Sequence, residues 1–341
     1  MTKTLLSGAS GFIAAHILQK LLARGDTVVA TVRSQSKADF IAGKYENEVK
    51  TGQLSFAIVP DISVLGAFDD AVTEDLDVVV HTASPFHHNI TDPDKDILLP
   101  AINGTKSMLE AVYKYGKNVT RLVITSSFAA IVDPFKPTTP DVVYTEESWS
   151  PLTLEQGRKD KNCTYRASKT VAEQTAWQFL KDHPDAKFSI TTVNPPFVWG
   201  PILNDISVGN LNTSNEVLYK VLTGKLGPES KFPVAFFVDV RDVAMAHVLA
   251  ADPSNKEIAN KRLFVNGGHF NLELVATIMR KLFPNEKRID PNFGSTDIET
   301  VRKNSPSYDN SATTKLLKFD YIPLEKCIKD FVEQVYTLEK S

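Results

Sequence analysis

Short apolar runs alternate with stretches of helical period through the first half of the chain. The runs Thr4–Ser7, Thr27–Val32, Ser55–Val59, Val78–Thr82, Leu122–Ser126 and Ser189–Asn194 are rich in Val, Ile, Thr and Phe. Their nearly unbroken apolar character is that of parallel strands buried on both faces. Between them, Ile13–Ala23 sets Ile17, Leu18, Leu21 and Leu22 on one stripe. Asp96–Tyr115 does the same with Leu99, Ile102, Met108, Leu109 and Val112, and Arg166–Leu180 with Val171, Ala172, Thr175 and Phe179. This alternation predicts an α/β protein: a Rossmann-type, doubly wound parallel sheet with helices on both faces. After Asn194 the rhythm changes. Residues 195–233 are rich in Pro, Gly, Asn and Ser, with one helical patch at Glu216–Leu222. Beyond them Phe236–Val238 and Arg262–Asn266 read as strands, and Val240–Ala251, Leu272–Leu282 and Leu324–Leu338 as helices. The expected division is a main domain of residues 1–194 plus 234–266, and a smaller C-terminal lobe of 195–233 and 267–341.

Composition narrows the function classes. The 341 residues carry a formal net charge of −3, so no excess of cations is available to neutralise a nucleic acid. No apolar run approaches the roughly 20 residues that span a bilayer. The 2 cysteines, Cys163 and Cys327, form no pairing motif, which suits a reducing compartment and a cytoplasmic protein. His87 and His88 are adjacent, and adjacent histidines do not converge on one metal as i, i+4 pairs can. They read as a surface loop, and no metal site is expected.

The first strand runs into Ser7-Gly8-Ala9-Ser10-Gly11-Phe12-Ile13-Ala14, and a helix begins at once. Glycines here let the chain turn sharply and let the backbone approach a pyrophosphate, which sits on the helix's unpaired N–H groups and positive end. The spacing is G-x-x-G-x-x-A, with small Ala14 at the helix–strand contact. About 20 positions further on, NAD-preferring folds carry an acidic residue for the ribose hydroxyls. This chain has Arg33 there, with Lys37 one helical turn beyond. A guanidinium at that place can pair with a 2′-phosphate, which favours NADPH over NADH.

The fifth strand ends in Thr125-Ser126-Ser127, and the helical stretch near Arg166 opens with Tyr165-Arg166-Ala167-Ser168-Lys169. Tyr165 and Lys169, at i and i+4, share a helix face. An ammonium near a phenol is expected to lower the phenol's pKa, so that it can give its proton to a developing alkoxide. A serine hydroxyl from the strand end can hold the same oxygen, and a nicotinamide supplies the hydride. Together these roles complete a carbonyl reduction without a metal.

These motifs carry a family resemblance. The chain resembles the extended short-chain dehydrogenases/reductases, in their dihydroflavonol-4-reductase-like branch. Within that branch it is similar to fungal NADPH-dependent reductases of methylglyoxal and 3-methylbutanal and to related ketoreductases. Further segments that carry the likeness are His81-Thr-Ala-Ser-Pro85, Ala101-Ile-Asn-Gly-Thr105, Asn194-Pro-Pro-Phe-Val-Trp-Gly-Pro201 and Val238-Asp-Val-Arg-Asp-Val-Ala244. The resemblance implies Ser127 as the serine that orients the carbonyl, Tyr165 as proton donor, and Lys169 as ribose ligand. It implies Gly8, Ser10, Gly11, Phe12 and Ile13 at the pyrophosphate, and Arg33 and Lys37 at the 2′-phosphate. Asp61 and Ile62 would lie near the adenine, Thr82, Ala83 and Ser84 beside the ribose, and Pro195 and Val198 against the nicotinamide. The main domain would then bind NADP and the lobe the substrate. Of the aromatic residues near strand ends, Phe86 and Trp199 are expected to wall an apolar pocket for a small carbonyl compound, while Phe128 and Phe135 read equally as pocket wall or as core. The charges of Asp239, Arg241 and Asp242 are explained by capping and ion pairing. The alternative functions are a nucleotide-sugar epimerase or dehydratase of the same superfamily, and a non-catalytic NADPH-sensing module. A monomer or homodimer is expected.

Overall fold

The computed structural model describes residues 2–84, 91–204, 209, 211–230 and 236–340. The elements open with β1 (Lys3–Ser7), α1 (Phe12–Arg24), β2 (Thr27–Val32), α2 (Gln35–Lys44), α3 (Glu46–Lys50), β3 (Leu54–Ile58) and β4 (Val78–His81). They continue through α4 (Leu99–Tyr115), β5 (Arg121–Thr125), β6 (Val143–Tyr144), α5 (Leu154–Lys159), α6 (Lys161–Asp182), β7 (Ser189–Val193), β8 (Phe197–Trp199) and α7 (Thr213–Leu222). The chain then forms β9 (Phe236–Asp239), α8 (Val240–Ala250), β10 (Arg262–Leu263), β11 (Gly268–His269), α9 (Leu272–Leu282), α10 (Ile298–Lys303), β12 (Ser307–Tyr308), α11 (Ser311–Leu317) and α12 (Leu324–Leu338).

Two compact units result. The first comprises Met1–Asp133, Ser148–Asn194 and Ala244–Leu263. Its centre is a parallel sheet of 7 strands in the order β10-β7-β5-β4-β1-β2-β3. Leu5, Leu6, Val28, Ala30, Val78, Val79, Val80, Leu122 and Val123 are all buried. Consecutive strand residues point to opposite faces, so burial of neighbours such as Val78, Val79 and Val80 requires cover on both. The predicted helix over Asp96–Tyr115 is a π-turn at Asp94–Leu98 followed by α4. Pro100, which has no N–H to donate, stands where the π-turn passes into α4.

The second unit comprises Pro134–Glu147, Pro195–Val243 and Phe264–Ser341. It holds a small sheet in the order β11-β9-β8 and the parallel pair β12-β6. This division differs from the expected one at residues 134–147, 234–243 and 264–266. Pairing explains the difference. Val143–Tyr144 joins Ser307–Tyr308, Phe236–Asp239 joins β8 and β11, and only Arg262–Leu263 of the run 262–266 adds to the large sheet. Asp239 accepts from the Arg241 backbone N–H and guanidinium, and Asp242 accepts from the Ile322 N–H. Capping and pairing therefore account for those charges.

Candidate active site

Strand order reverses between β1 and β4, and the carboxyl ends of strands at such a reversal are where open α/β sheets bind ligands. Ser7 and His81 close these two strands in register with each other. Gly8 follows with φ 67°, a left-handed conformation that suits glycine. A Cβ on Gly8 would lie 3.0 Å from the Ala83 Cα, so a side chain there would block the close pass of the two strand ends. The Gly11 N–H closes the turn on the Gly8 carbonyl at 2.9 Å. Helix α1 then starts at Phe12 with no capping side chain and no acidic residue in its first turn. Its first N–H groups and positive end are left to an anion. Ser10, Phe12 and Ile13 are half-buried around this turn.

A buried network ties the two strand ends together. The Ser7 hydroxyl oxygen accepts the N–H groups of Thr82 and Ala83, at 3.0 and 3.1 Å. Its own proton is therefore donated to His81 Nδ1, 2.9 Å away, which places the imidazole proton on Nε2. Burial, with the Lys169 charge adding to it, lowers the His81 pKa to about 3. His81 is thus a neutral acceptor throughout the working pH range.

At the end of β2, Arg33 is exposed and pairs with no carboxylate among the described residues, and half-buried Lys37 lies in the first turn of α2. After β3, the Asp61 carboxylate accepts the Ser63 hydroxyl and N–H, which hold its pKa below the ordinary value. Ile62 packs beside Gly104 of α4. A glycine cradle, an uncapped helix start and two cations at the β2 edge fit an NADP-type dinucleotide.

The catalytic candidates come together in the first unit. Ser126 and Ser127 part company at the end of β5. The Ser126 hydroxyl is buried and donates to Glu173 Oε2 at 2.5 Å. Ser127 is half-buried, accepts the Ala129 N–H at 3.1 Å and is hydrogen-bonded to the Tyr165 hydroxyl. Of the two serines, Ser127 is therefore the one that faces the tyrosine. Tyr165 and Lys169 both lie on α6. Lys169 Nζ donates to the Ser84 hydroxyl at 3.2 Å and the Thr125 carbonyl at 3.4 Å, bridging the ends of β4 and β5. Burial draws its pKa down to about 8, opposed by the charge of Glu173. For Tyr165 the expected direction is reversed. Burial, the larger influence, raises the phenol above its ordinary value, and the Ser127 hydrogen bond offsets only part of this.

The aromatic residues do not share one role. Phe86, like His87 and His88, lies outside the described residues. Phe128 is buried in a short turn, and Phe135 is exposed. Pro195 and Val198 are buried. Trp199 has 0% of its surface exposed and packs among the rings of Phe197, Phe237 and Phe270. This corrects its expected place in a pocket wall: aromatic packing, not substrate contact, accounts for its burial. Sequence reasoning missed His81, Glu173, Asn194 and Arg262. Glu173 carried a local signal, at i+4 from Lys169 on the face that bears the tyrosine, and His81 and Asn194 stood within segments that carry the resemblance. Among the described residues no group of His, Cys, Asp and Glu is placed to hold a metal ion, and no helix is long and apolar enough to cross a membrane.

A strand-order reversal with a glycine cradle, and a Ser-Tyr-Lys cluster beside it, define a dinucleotide-dependent oxidoreductase of the short-chain dehydrogenase/reductase class. The chain belongs to the 3-beta hydroxysteroid dehydrogenase/isomerase family, whose model matches residues 5–282. It is 39% identical to an NADPH-dependent methylglyoxal reductase of Saccharomyces cerevisiae over 342 residues, covering 98% of both chains. It is also 39% identical to a ketoreductase of Aspergillus niger, covering 97% of this chain and 96% of the relative. The crystal structure of a yeast methylglyoxal/isovaleraldehyde reductase in complex with NADPH superposes with a TM-score of 0.92. It has 38% sequence identity and covers 99% of each chain.

Proposed function

We propose that this chain is an NADPH-dependent carbonyl reductase that converts small aldehydes, α-dicarbonyls and ketones to alcohols. The observation that carries the reading is the Tyr165 hydroxyl held by Ser127 on the helix of buried Lys169. When bound, the dinucleotide supplies the hydride. Ser127 and Tyr165 grip the substrate oxygen, and as negative charge develops there Tyr165 gives up its proton. A raised pKa keeps that proton on Tyr165 at neutral pH, which is the state reduction needs. Lys169, as an ammonium, stabilises the phenolate that forms. Arg33 and Lys37 would hold the 2′-phosphate, and the Gly8–Gly11 turn the pyrophosphate. The first unit is then the NADP-binding domain and the second the substrate-binding lobe, in a cytoplasmic monomer or homodimer. Consumption of NADPH with methylglyoxal, 3-methylbutanal, diketones and aryl ketones tests the assignment. Oxidation with several of them is expected, and none with any of them overturns it.

Two outcomes follow from the site. Lys169 loses its charge near pH 8, so kcat for reduction should hold below that pH and fall above it. A profile flat through the alkaline range contradicts this role for the ammonium. Arg33→Ala removes a charge-assisted contact worth about 1.5–3 kcal/mol. It should raise KM for NADPH by roughly ten- to a hundredfold, with KM for NADH nearly unchanged. Equal weakening of both cofactors would remove Arg33 from the 2′-phosphate site.

A further inference from the structure

The steps above leave one buried ionisable group of the site without a part. Glu173 lies on α6, one turn beyond Lys169 and two beyond Tyr165, and is 2% exposed. A carboxylate taken out of water is costly unless it is paired and fully hydrogen-bonded. This one accepts from four side chains and shares a fifth donor, the Thr192 hydroxyl, with Asn194 Oδ1. Oε2 takes the Ser126 hydroxyl at 2.5 Å and Asn194 Nδ2 at 2.6 Å. Oε1 takes Arg262 Nε at 2.6 Å, the Thr192 hydroxyl at 3.1 Å and the Trp177 indole N–H at 3.2 Å.

These partners lead back to the catalytic serine. Ser126 is its chain neighbour, and Asn194 Nδ2 also donates to the Ser127 carbonyl at 3.2 Å. Arg262, the countercharge from β10, donates onward to the carbonyls of Ser148 and Ala130, the latter in the turn that follows Ser127. Its guanidinium lies 3.7 Å from the centre of the Trp149 ring. The ends of β5, β7 and β10 thus converge on one carboxylate, and the backbone around Ser127 is held from it.

Glu173 also shares space with Lys169. Both line a small pocket of about 10 Å³, together with His81, Ser84, Thr125 and Ser126. Among the described residues, the titratable groups that face the amine are Glu173 on its own helix and neutral His81 from β4, with Tyr165 one turn before it on α6 and Arg262 from β10 paired to the carboxylate. Of these, Glu173 is the negative charge that opposes the effect of burial on Lys169.

We propose that Glu173 is a positioning residue of the reduction: it fixes Ser127 opposite Tyr165 and supplies the negative charge that favours Lys169 as an ammonium. The proposal rests on the carbonyl-reductase reading of the site. Glu173→Gln tests it, because Gln keeps the shape but loses the charge and turns an NH2 group toward the surrounding donors. With methylglyoxal and NADPH, kcat should fall about tenfold or more, while KM for NADPH changes little. The alkaline limb of the kcat profile should also move to lower pH, because losing a nearby negative charge favours the neutral amine. Glu173→Asp keeps the charge, so its limb should stay near the wild-type position and part of the rate should return. Wild-type kcat and an unmoved limb in Glu173→Gln overturn the proposal. So does a rate loss shared equally by both variants with no movement of the limb, which is the mark of packing alone. If Glu173→Gln does not fold, Ser126→Ala combined with Asn194→Ala cuts both ties to Ser127 and leaves the carboxylate. That variant should lose rate with its limb in place, and undiminished turnover overturns the proposal. A wild-type chain that oxidises no NADPH with any carbonyl overturns the underlying reading instead.

Discussion

Tyr165→Phe is expected to lower kcat for carbonyl reduction by about 10²–10⁴-fold, the usual worth of a positioned general acid, and to leave NADPH binding and thermal stability close to wild type. The substitution removes one oxygen and keeps the half-buried ring in place on α6. What disappears is the proton for the substrate oxygen, together with the hydrogen bond to Ser127. Loss confined to kcat would mark an interaction made only as the alkoxide develops. The sign of the pKa shift adds a second readout. Burial raises the phenol above its ordinary value, so below that value the acid form prevails and reduction has its donor. Alcohol oxidation needs the phenolate and should rise with pH over the same range. Steady-state reduction of methylglyoxal, with fluorescence titration of NADPH binding, checks both points. A Phe variant that keeps more than about a tenth of the wild-type rate would remove Tyr165 from the proton-donor role.

The reversed shift at Tyr165 shows where sequence reasoning stops. The i, i+4 spacing of Tyr165 and Lys169 is local, so their shared helix can be read from the sequence and an ammonium effect anticipated. How deeply the phenol is buried depends on what the sheet brings around it, and burial outweighs the other influences. The same distinction separates the parts of the site. Gly8, Gly11, Arg33 and the Ser126–Ser127 pair were readable from position after a strand. The Ser7–His81 and Glu173–Arg262 contacts join residues that meet only through strand order. Among the elements, the buried parallel strands were evident because both faces demand apolar residues. Helix α2 was not, since only Ala38 and Ile41 of its residues are buried and no stripe results. Strands β6, β8, β11 and β12 are two or three residues long, too short for any period to show. Their pairing nevertheless moves 134–147 and 234–243 into the second unit.

Trp199 extends the lesson to packing, because its neighbours in sequence suggest a pocket while its neighbours in space form a core. It ends β8, its indole N–H donates to the Ser214 carbonyl at 2.8 Å, and its ring lies 4.4 Å from that of Phe270. Gly200 follows with φ 133° and exchanges hydrogen bonds with the buried Asn215 side chain. The strand end is therefore fixed on both sides of the indole. Removing a fully buried aromatic side chain costs its transfer energy and the cavity it leaves. Trp199→Ala should therefore destabilise the protein by about 3–5 kcal/mol, a fall in melting temperature on the order of 10 °C. Trp199→Phe keeps a ring in the aromatic cluster but gives up the Ser214 hydrogen bond and part of the volume, so it should cost much less. If Trp199 acts through packing, the ranking of aldehydes and ketones by kcat/KM should be the same in Trp199→Phe and wild type at a temperature where both are folded. An alanine variant that melts like the wild type but accepts bulkier ketones would return Trp199 to the substrate pocket.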